Sequence, residues 1–234
     1  MTRSAGKRDD GDAVAPEHLE PTAFIDSDHP AVLEFAARAA GDADDPHERI
    51  GRLFRAVRDG IRYDPYTASD DPEDYVASNV LGSTGAYCIP KSVVLVAGAR
   101  SIGIPARLGF ADVRNHLTSD RLRDAMGGSD VFAYHGYAEL NVDGYWRKAT
   151  SAFNSSLCAR FGVPPLEFDG TGDAMLHPFT GDGDRYMEYV RERGSFTDLP
   201  FEEIVEEFTR LYPALMRRGR KPVADPQFDA NVRS

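Results

Sequence analysis

Between Thr84 and Arg107 the chain reads TGAYCIPKSVVLVAGARSIGIPAR, and this stretch predicts a central, buried helix. Its proline at position 90 suits the first turn of a helix. The residues that follow are apolar on nearly every side, which is typical of a helix enclosed by the rest of a fold. We expect the helix to end at Gly103, and Pro105 prevents its continuation.

Cys88 lies two residues before Pro90, at the predicted start of this helix. Unpaired N–H groups and about half a positive charge at a helix N-terminus favour a thiolate over a thiol. The same N–H groups can bind the oxyanion that forms when a thiolate attacks a carbonyl. Cys88 is therefore a candidate nucleophile, and the alternative is a small buried apolar residue. Cys158 has no such setting, and we interpret it as a packing residue.

His135 is the candidate general base, because a thiol nucleophile needs an imidazole beside it. It lies within an aromatic run, Val131 to Val142, which precedes a second run from Tyr145 to Phe153. The dipeptide between the two runs is Asp-Gly, which favours a type I′ hairpin turn. The alternative is a core histidine whose ring has a hydrogen-bond partner and no role in catalysis.

The hairpin also suggests a residue that orients the imidazole. If Val142 pairs with Tyr145, Thr150 and Asn154 both lie diagonal to His135 on the same face of the sheet. Either side chain could accept a hydrogen bond from the far ring nitrogen and fix its tautomer. Neither is a carboxylate, so the usual negatively charged third residue is missing.

These segments resemble the core of the transglutaminase-like superfamily. The resemblance rests on TGAYCIPKSVVLVAGARSIGIPAR, on YHGYAEL at 134–140 and on GYWRKAT at 144–150, in that order, and it covers about residues 46–154. It implies a papain-like α+β fold, in which a buried helix carrying the cysteine packs on an antiparallel sheet, with extra N- and C-terminal helices. It also implies that Cys88 is the nucleophile and His135 its partner. The family's acid follows a strand tryptophan by four residues, and here the fourth residue after Trp146 is Thr150.

The domain organisation that we expect is a single domain with short extensions. Residues 1–17 read as a disordered leader, 18–215 as one domain, and 216–234 as a flexible tail. Within the domain the core spans about 46–154 and a helical extension about 155–215. That extension includes predicted helices near Arg185 to Arg193 and Pro200 to Tyr212.

Composition excludes several classes of function. The chain has 234 residues, with 27 basic and 38 acidic side chains and a net charge of −11. The basic residues form no stripe, so we expect no nucleic-acid partner. The sequence shows neither a run long enough to span a membrane nor a secretory signal, so we expect a cytoplasmic protein without a membrane partner. Two cysteines exclude a disulfide framework and a four-thiolate zinc site, and no common metal motif occurs, so we expect no metal or cofactor.

Together these features predict a cysteine-dependent amide hydrolase or acyl transferase that acts on a peptide or another amide-containing substrate. The resemblance favours a peptidase or amidase over a cross-linking enzyme. The alternative, motivated by the missing acid, is a scaffold or binding protein with little or no activity.

Overall fold

The computed structural model describes Arg8, Asp9, residues 11–216, Asp225 and Phe228. Its helices are α1 (Pro30–Ala40), α2 (Pro46–Gly60), α3 (Ala77–Leu81), α4 (Cys88–Ser101), α5 (Asp120–Ala125), α6 (Ser155–Arg160), α7 (Phe201–Leu211) and α8 (Pro213–Met216). Its strands are β1 (Ala106–Asn115), β2 (Val131–Val142), β3 (Tyr145–Ala149) and β4 (Met187–Phe196). Short 3-10 turns occur at Pro16–His18, Pro65–Thr67 and Pro72–Tyr75. None of the described helices combines the length and the apolar character that crossing a membrane requires.

Helix α4 forms the centre of the molecule, as predicted. Every residue from Cys88 to Arg100 is buried, because α4 contacts α1, α2 and α3 as well as β1 and β2. Even Lys91 is buried on this helix, and its ammonium group donates to the carbonyls of Arg58 and Ile61 at 2.8 and 2.6 Å. The helix begins at Cys88, so the cysteine occupies its first turn.

The sheet is antiparallel, with the strand order β3-β2-β1-β4. Asp143 and Gly144 connect β2 to β3 with φ angles of 53° and 84°, the left-handed pair that a type I′ turn requires. Val142 pairs with Tyr145, which is the register predicted from the sequence. The fold class is therefore confirmed as α+β, with a buried, cysteine-bearing helix packed on an antiparallel sheet.

The C-terminal part differs from the predicted helical extension. The segment predicted as a helix near Arg185 to Arg193 instead contains most of β4, which pairs with β1. Its charged side chains are typical of an edge strand, where they discourage pairing with a further chain. The other predicted helix, near Pro200 to Tyr212, is present as α7.

The described residues of both chain ends contact the core. The Asp9 amide donates to the Ser195 carbonyl at 2.7 Å, and the Asp9 carboxylate accepts from Arg107 at 3.2 Å. These contacts are not those of a disordered leader, and the rest of that prediction, for residues 1–7 and 10, lies outside the described residues. Asp225 and Phe228 are buried, unlike a flexible tail. The prediction for 217–224, 226, 227 and 229–234 also lies outside the described residues.

Candidate active site

Cys88 is held at the junction between α4 and β2. A Cβ atom added to Gly136 of β2 would lie 3.0 Å from the Cα of Ile89, so only glycine lets the strand approach the first turn of α4 this closely. Burial raises the pKa of the Cys88 thiol to about 11, although backbone groups of Gly136, Ile89 and Cys88 itself hydrogen-bond to the sulfur and oppose this shift. Cys88 is therefore a neutral thiol that already has N–H donors around its sulfur.

His135 lies on β2, directly before Gly136, and only 6% of its surface is exposed. Burial lowers the pKa of its imidazole to about 4, so the ring is neutral at pH 7. Its Nε2 lies 3.3 Å from Oγ1 of Thr150, and its ring meets that of Tyr189 edge to face with centroids 6.3 Å apart. Because Thr150 engages Nε2, Nδ1 is the nitrogen left for another partner.

Cys88 and His135 line the same small cavity, whose volume of about 20 Å³ is enough for one water molecule. Its remaining walls are mostly apolar and include Tyr63, Phe153 and Phe161. Within the described part of the chain, no hydrogen bond joins the sulfur to the imidazole ring. Both groups are thus buried and uncharged, in one cavity.

A larger cavity of about 450 Å³ lies next to this enclosure. Leu176 and Met187 line both cavities, so these two side chains form the wall between them. The larger cavity also carries polar groups, among them His116, Arg185 and Glu188. It is large enough for a peptide segment, whereas the inner cavity is not.

The structure brings only one of the two predicted orienting residues to His135. Thr150 contacts the ring, as described above, and is almost completely buried. Asn154 instead accepts from the Tyr63 amide at 2.7 Å and donates to the carbonyls of Arg58 and Ile61. The reason is that β3 ends at Ala149, so the diagonal relation predicted for Asn154 is not formed. Among the described residues no carboxylate hydrogen-bonds to His135.

The residue before His135 has an unusual backbone conformation that the sequence did not predict. Tyr134 has a φ of 52°, in the left-handed region that side chains other than glycine rarely adopt. It lies in a bulge of β2, since Ala111 pairs with His135 while Val113 pairs with Phe132. The bulge leaves the carboxylate of the intervening Asp112 opposite the Tyr134 amide, which donates to it at 3.1 Å.

A partly buried ion pair holds this bulge in place. Arg193 of β4 donates to both carboxylate oxygens of Asp112, at 2.7 and 2.9 Å, and also to Glu207 of α7 at 3.0 Å. The same guanidinium lies over the ring of Tyr134, 4.3 Å from its centroid. An aspartate within an apolar strand was the available sequence signal for this network. We infer that the network fixes the direction of the His135 side chain.

One group of possible metal ligands occurs among the described residues, away from this cavity. Asp9, Glu17 and His18 place ligand atoms within 4.8 Å of one another. The His18 Nδ1 already accepts from the Ala15 amide, its Nε2 contacts Asp9, and Asp9 also accepts from Arg107. These groups satisfy one another, so the cluster is not assigned to a metal.

Comparison with known proteins identifies the family. The model of the transglutaminase-like superfamily matches residues 33–150, just over half of the chain, and the chain belongs to this superfamily. The matched range includes Cys88, His135 and Thr150 and ends before Asn154. The papain-like, transglutaminase-like class predicted from the sequence is thereby confirmed.

One solved structure has a fold similar to that of this chain. It is a proposed cysteine protease from Cytophaga hutchinsonii, with 15% sequence identity and a TM-score of 0.46. The similarity covers 77% of this chain and 46% of that one, so this chain spans less than half of its length. No curated protein matches the sequence.

Proposed function

We propose that this protein is a cysteine-dependent amide hydrolase or acyl transferase, with Cys88 as the nucleophile and His135 as the general base and acid. The observation that carries the proposal is that both side chains line one cavity, at the start of a buried helix. Thr150, at Nε2 of His135, is the proposed orienting residue.

The chemistry begins from two neutral groups. Nδ1 of His135 accepts the thiol proton as the sulfur of Cys88 attacks the amide carbonyl, and the backbone N–H groups around the sulfur stabilise the oxyanion. The imidazolium then protonates the leaving amine, and a thioester remains on Cys88. Water or a second amine, deprotonated by His135, attacks the thioester and releases the acid or the new amide.

A trapping experiment tests this function. The protein is incubated with a mixed peptide digest and hydroxylamine, which intercepts a thioester as a hydroxamate, and the products are mapped by mass spectrometry. We expect hydroxamates at cleaved peptide bonds for a peptidase, or at side-chain amides for an amidase. Cys158→Ala should preserve the products and Cys88→Ala should abolish them. Products that survive Cys88→Ala would refute the assignment.

The second candidate is a protein of the same fold with little or no activity. It is favoured by a specific observation, namely that a neutral hydroxyl rather than a carboxylate engages His135. A hydroxyl stabilises an imidazolium less than a carboxylate does. An absence of hydroxamates, with the cavity shown to be open to a small electrophile, would favour this candidate.

A further inference from the structure

A residue near the C-terminus fills the aromatic side of the nucleophile cavity. Phe228 is only 6% exposed and lines the cavity together with Cys88 and His135. Its ring centroid lies 5.9 Å from that of Tyr63, 6.3 Å from Tyr66 and 6.5 Å from Phe161. A phenyl ring distant in sequence thus occupies a three-sided aromatic pocket beside the proposed nucleophile.

Polar groups hold the backbone and an acidic side chain of the same segment. Arg62 donates to the Phe228 carbonyl at 3.3 Å. Three residues before Phe228, the carboxylate of Asp225 accepts from the hydroxyls of Tyr66 at 2.6 Å and Ser119 at 3.0 Å. The Phe228 amide donates to the Asp225 carbonyl at 2.9 Å, so the two residues are also joined to each other.

These contacts are of the kinds by which a cleft recognises a peptide. An aromatic pocket receives one side chain, a guanidinium binds the main-chain carbonyl of the same residue, and two hydroxyls bind a carboxylate three residues earlier. Phe228 also lines the cavity that contains Cys88, so its ring occupies space that a substrate at the sulfur would need. The position therefore suits a polypeptide ligand, and here the chain supplies that ligand itself.

We propose that the pocket formed by Tyr63, Tyr66 and Phe161 is a subsite for an aromatic side chain of a polypeptide substrate, and that Phe228 occupies it in cis and blocks the nucleophile. The proposal rests on the proposed function, because it assumes that substrates reach Cys88. The substrates would be polypeptides with an aromatic residue near the reacting amide. An acidic residue three positions before the aromatic residue would strengthen their binding.

The first experiment opens the pocket in the full-length chain. Iodoacetamide labelling of Phe228→Ala, followed by mass spectrometry, should show Cys88 reacting about tenfold faster than in the unmodified protein. Cys158 is the internal reference and should keep its rate. The matched control is Tyr145→Ala, which removes an aromatic side chain that is 63% exposed and should leave both rates unchanged. Equal Cys88 rates with and without Phe228 would overturn the blocking role.

The second experiment refills the pocket. A synthetic peptide with the sequence of residues 222–234 is added to Phe228→Ala, and the labelling rate and fluorescence anisotropy are followed. The peptide should bind and slow the labelling of Cys88, whereas a peptide with alanine at the phenylalanine should bind at least tenfold more weakly. Equal binding of the two peptides would overturn the aromatic subsite. If Phe228→Ala fails to fold, Asp225→Ala loosens the same segment without emptying the core and undergoes the same tests.

The outcomes separate this proposal from the proposed function. If the peptide binds through its phenylalanine but the trapping assay on Phe228→Ala yields no hydroxamate, the subsite stands and the enzymatic function fails. If hydroxamates form but neither the variant nor the peptide changes the labelling of Cys88, the function stands and the subsite fails.

Discussion

Changing Thr150 to aspartate should supply the acid that the proposed Cys88–His135 pair lacks and should activate Cys88. The Thr150 hydroxyl lies 3.3 Å from Nε2 of His135, and the backbone at this position is fixed by a hydrogen bond to Ala174. A carboxylate extends one bond further than the hydroxyl, so it can close this distance to that of a charge-assisted hydrogen bond. Its negative charge would then face the imidazole directly.

The size of the effect follows from the present state of the ring. Burial alone lowers the pKa of His135 to about 4. An adjacent opposite charge typically shifts a pKa by about 1 to 3 units toward the charged form. The attraction between the new carboxylate and the His135 imidazolium is about 4 kcal/mol at an effective dielectric constant near 20. The cost of burying the carboxylate cancels part of this attraction. The pKa of His135 should therefore rise to about 5 to 7, which makes the thiolate-imidazolium pair at least about tenfold more populated.

The assay is the pH dependence of Cys88 alkylation in Thr150→Asp, with Thr150→Asn as the matched control. The asparagine variant supplies a hydrogen-bond acceptor of the same reach without the charge. We expect at least a tenfold higher rate at pH 7 for the aspartate variant relative to the asparagine variant, with Cys158 unaffected. The aspartate variant should also melt several degrees lower because it buries a carboxylate. Equal rates for the two variants would refute the argument that a missing charge limits this site.

Three further predictions concern the scaffold. Between pH 6.5 and 4 the imidazole of His135 stays neutral in the folded protein, whereas in the unfolded chain it binds a proton. The free energy of unfolding should therefore fall by up to about 3 kcal/mol as the pH drops from 6.5 to 4. Urea denaturation at several pH values should show this fall, and the fall should be smaller in His135→Gln. Gly136→Ala should lower the melting temperature, because the added methyl group pushes β2 away from α4. Gly60→Ala is the control and should leave the melting temperature unchanged, because its added methyl group meets open space. Arg193→Met should cost about 3 kcal/mol in urea denaturation because it leaves the buried Asp112 carboxylate without its cation, and Asp112→Asn should cost less.

The parts of the site that the sequence predicts are those set by local rules. The proline after Cys88 and the apolar run behind it define the start of α4, and the Asp-Gly turn fixes the register of the hairpin that carries His135. Both rules depend on residues within a few positions of each other. Thr150 follows from the same register, because it comes directly after the last paired residue of β3.

The features that the sequence does not predict depend on contacts between distant segments. The hairpin register does not show that β3 stops at Ala149. Because the strand ends there, Asn154 does not lie beside His135 and instead hydrogen-bonds to carbonyls at the end of α2. The many charged residues of β4 are typical of an exposed helix, and its sequence predicts one. The segment is instead an edge strand, because it pairs with β1, which is distant in sequence. Phe228 reaches Tyr63 across more than 160 positions, and no periodicity in the sequence records that contact.

The pKa values of Cys88 and His135 connect the proposed mechanism to the occupied aromatic pocket. Burial is the leading cause of both shifts, upward for the thiol and downward for the imidazole, and both shifts oppose the thiolate-imidazolium pair. Phe228 lines the same cavity and covers part of its surface. Withdrawing its ring would admit water, which lowers the pKa of Cys88 and raises that of His135. A peptide that displaces Phe228 would therefore gain access to Cys88. Before the peptide itself fills the cavity, it would also make the pair of Cys88 thiolate and His135 imidazolium easier to form.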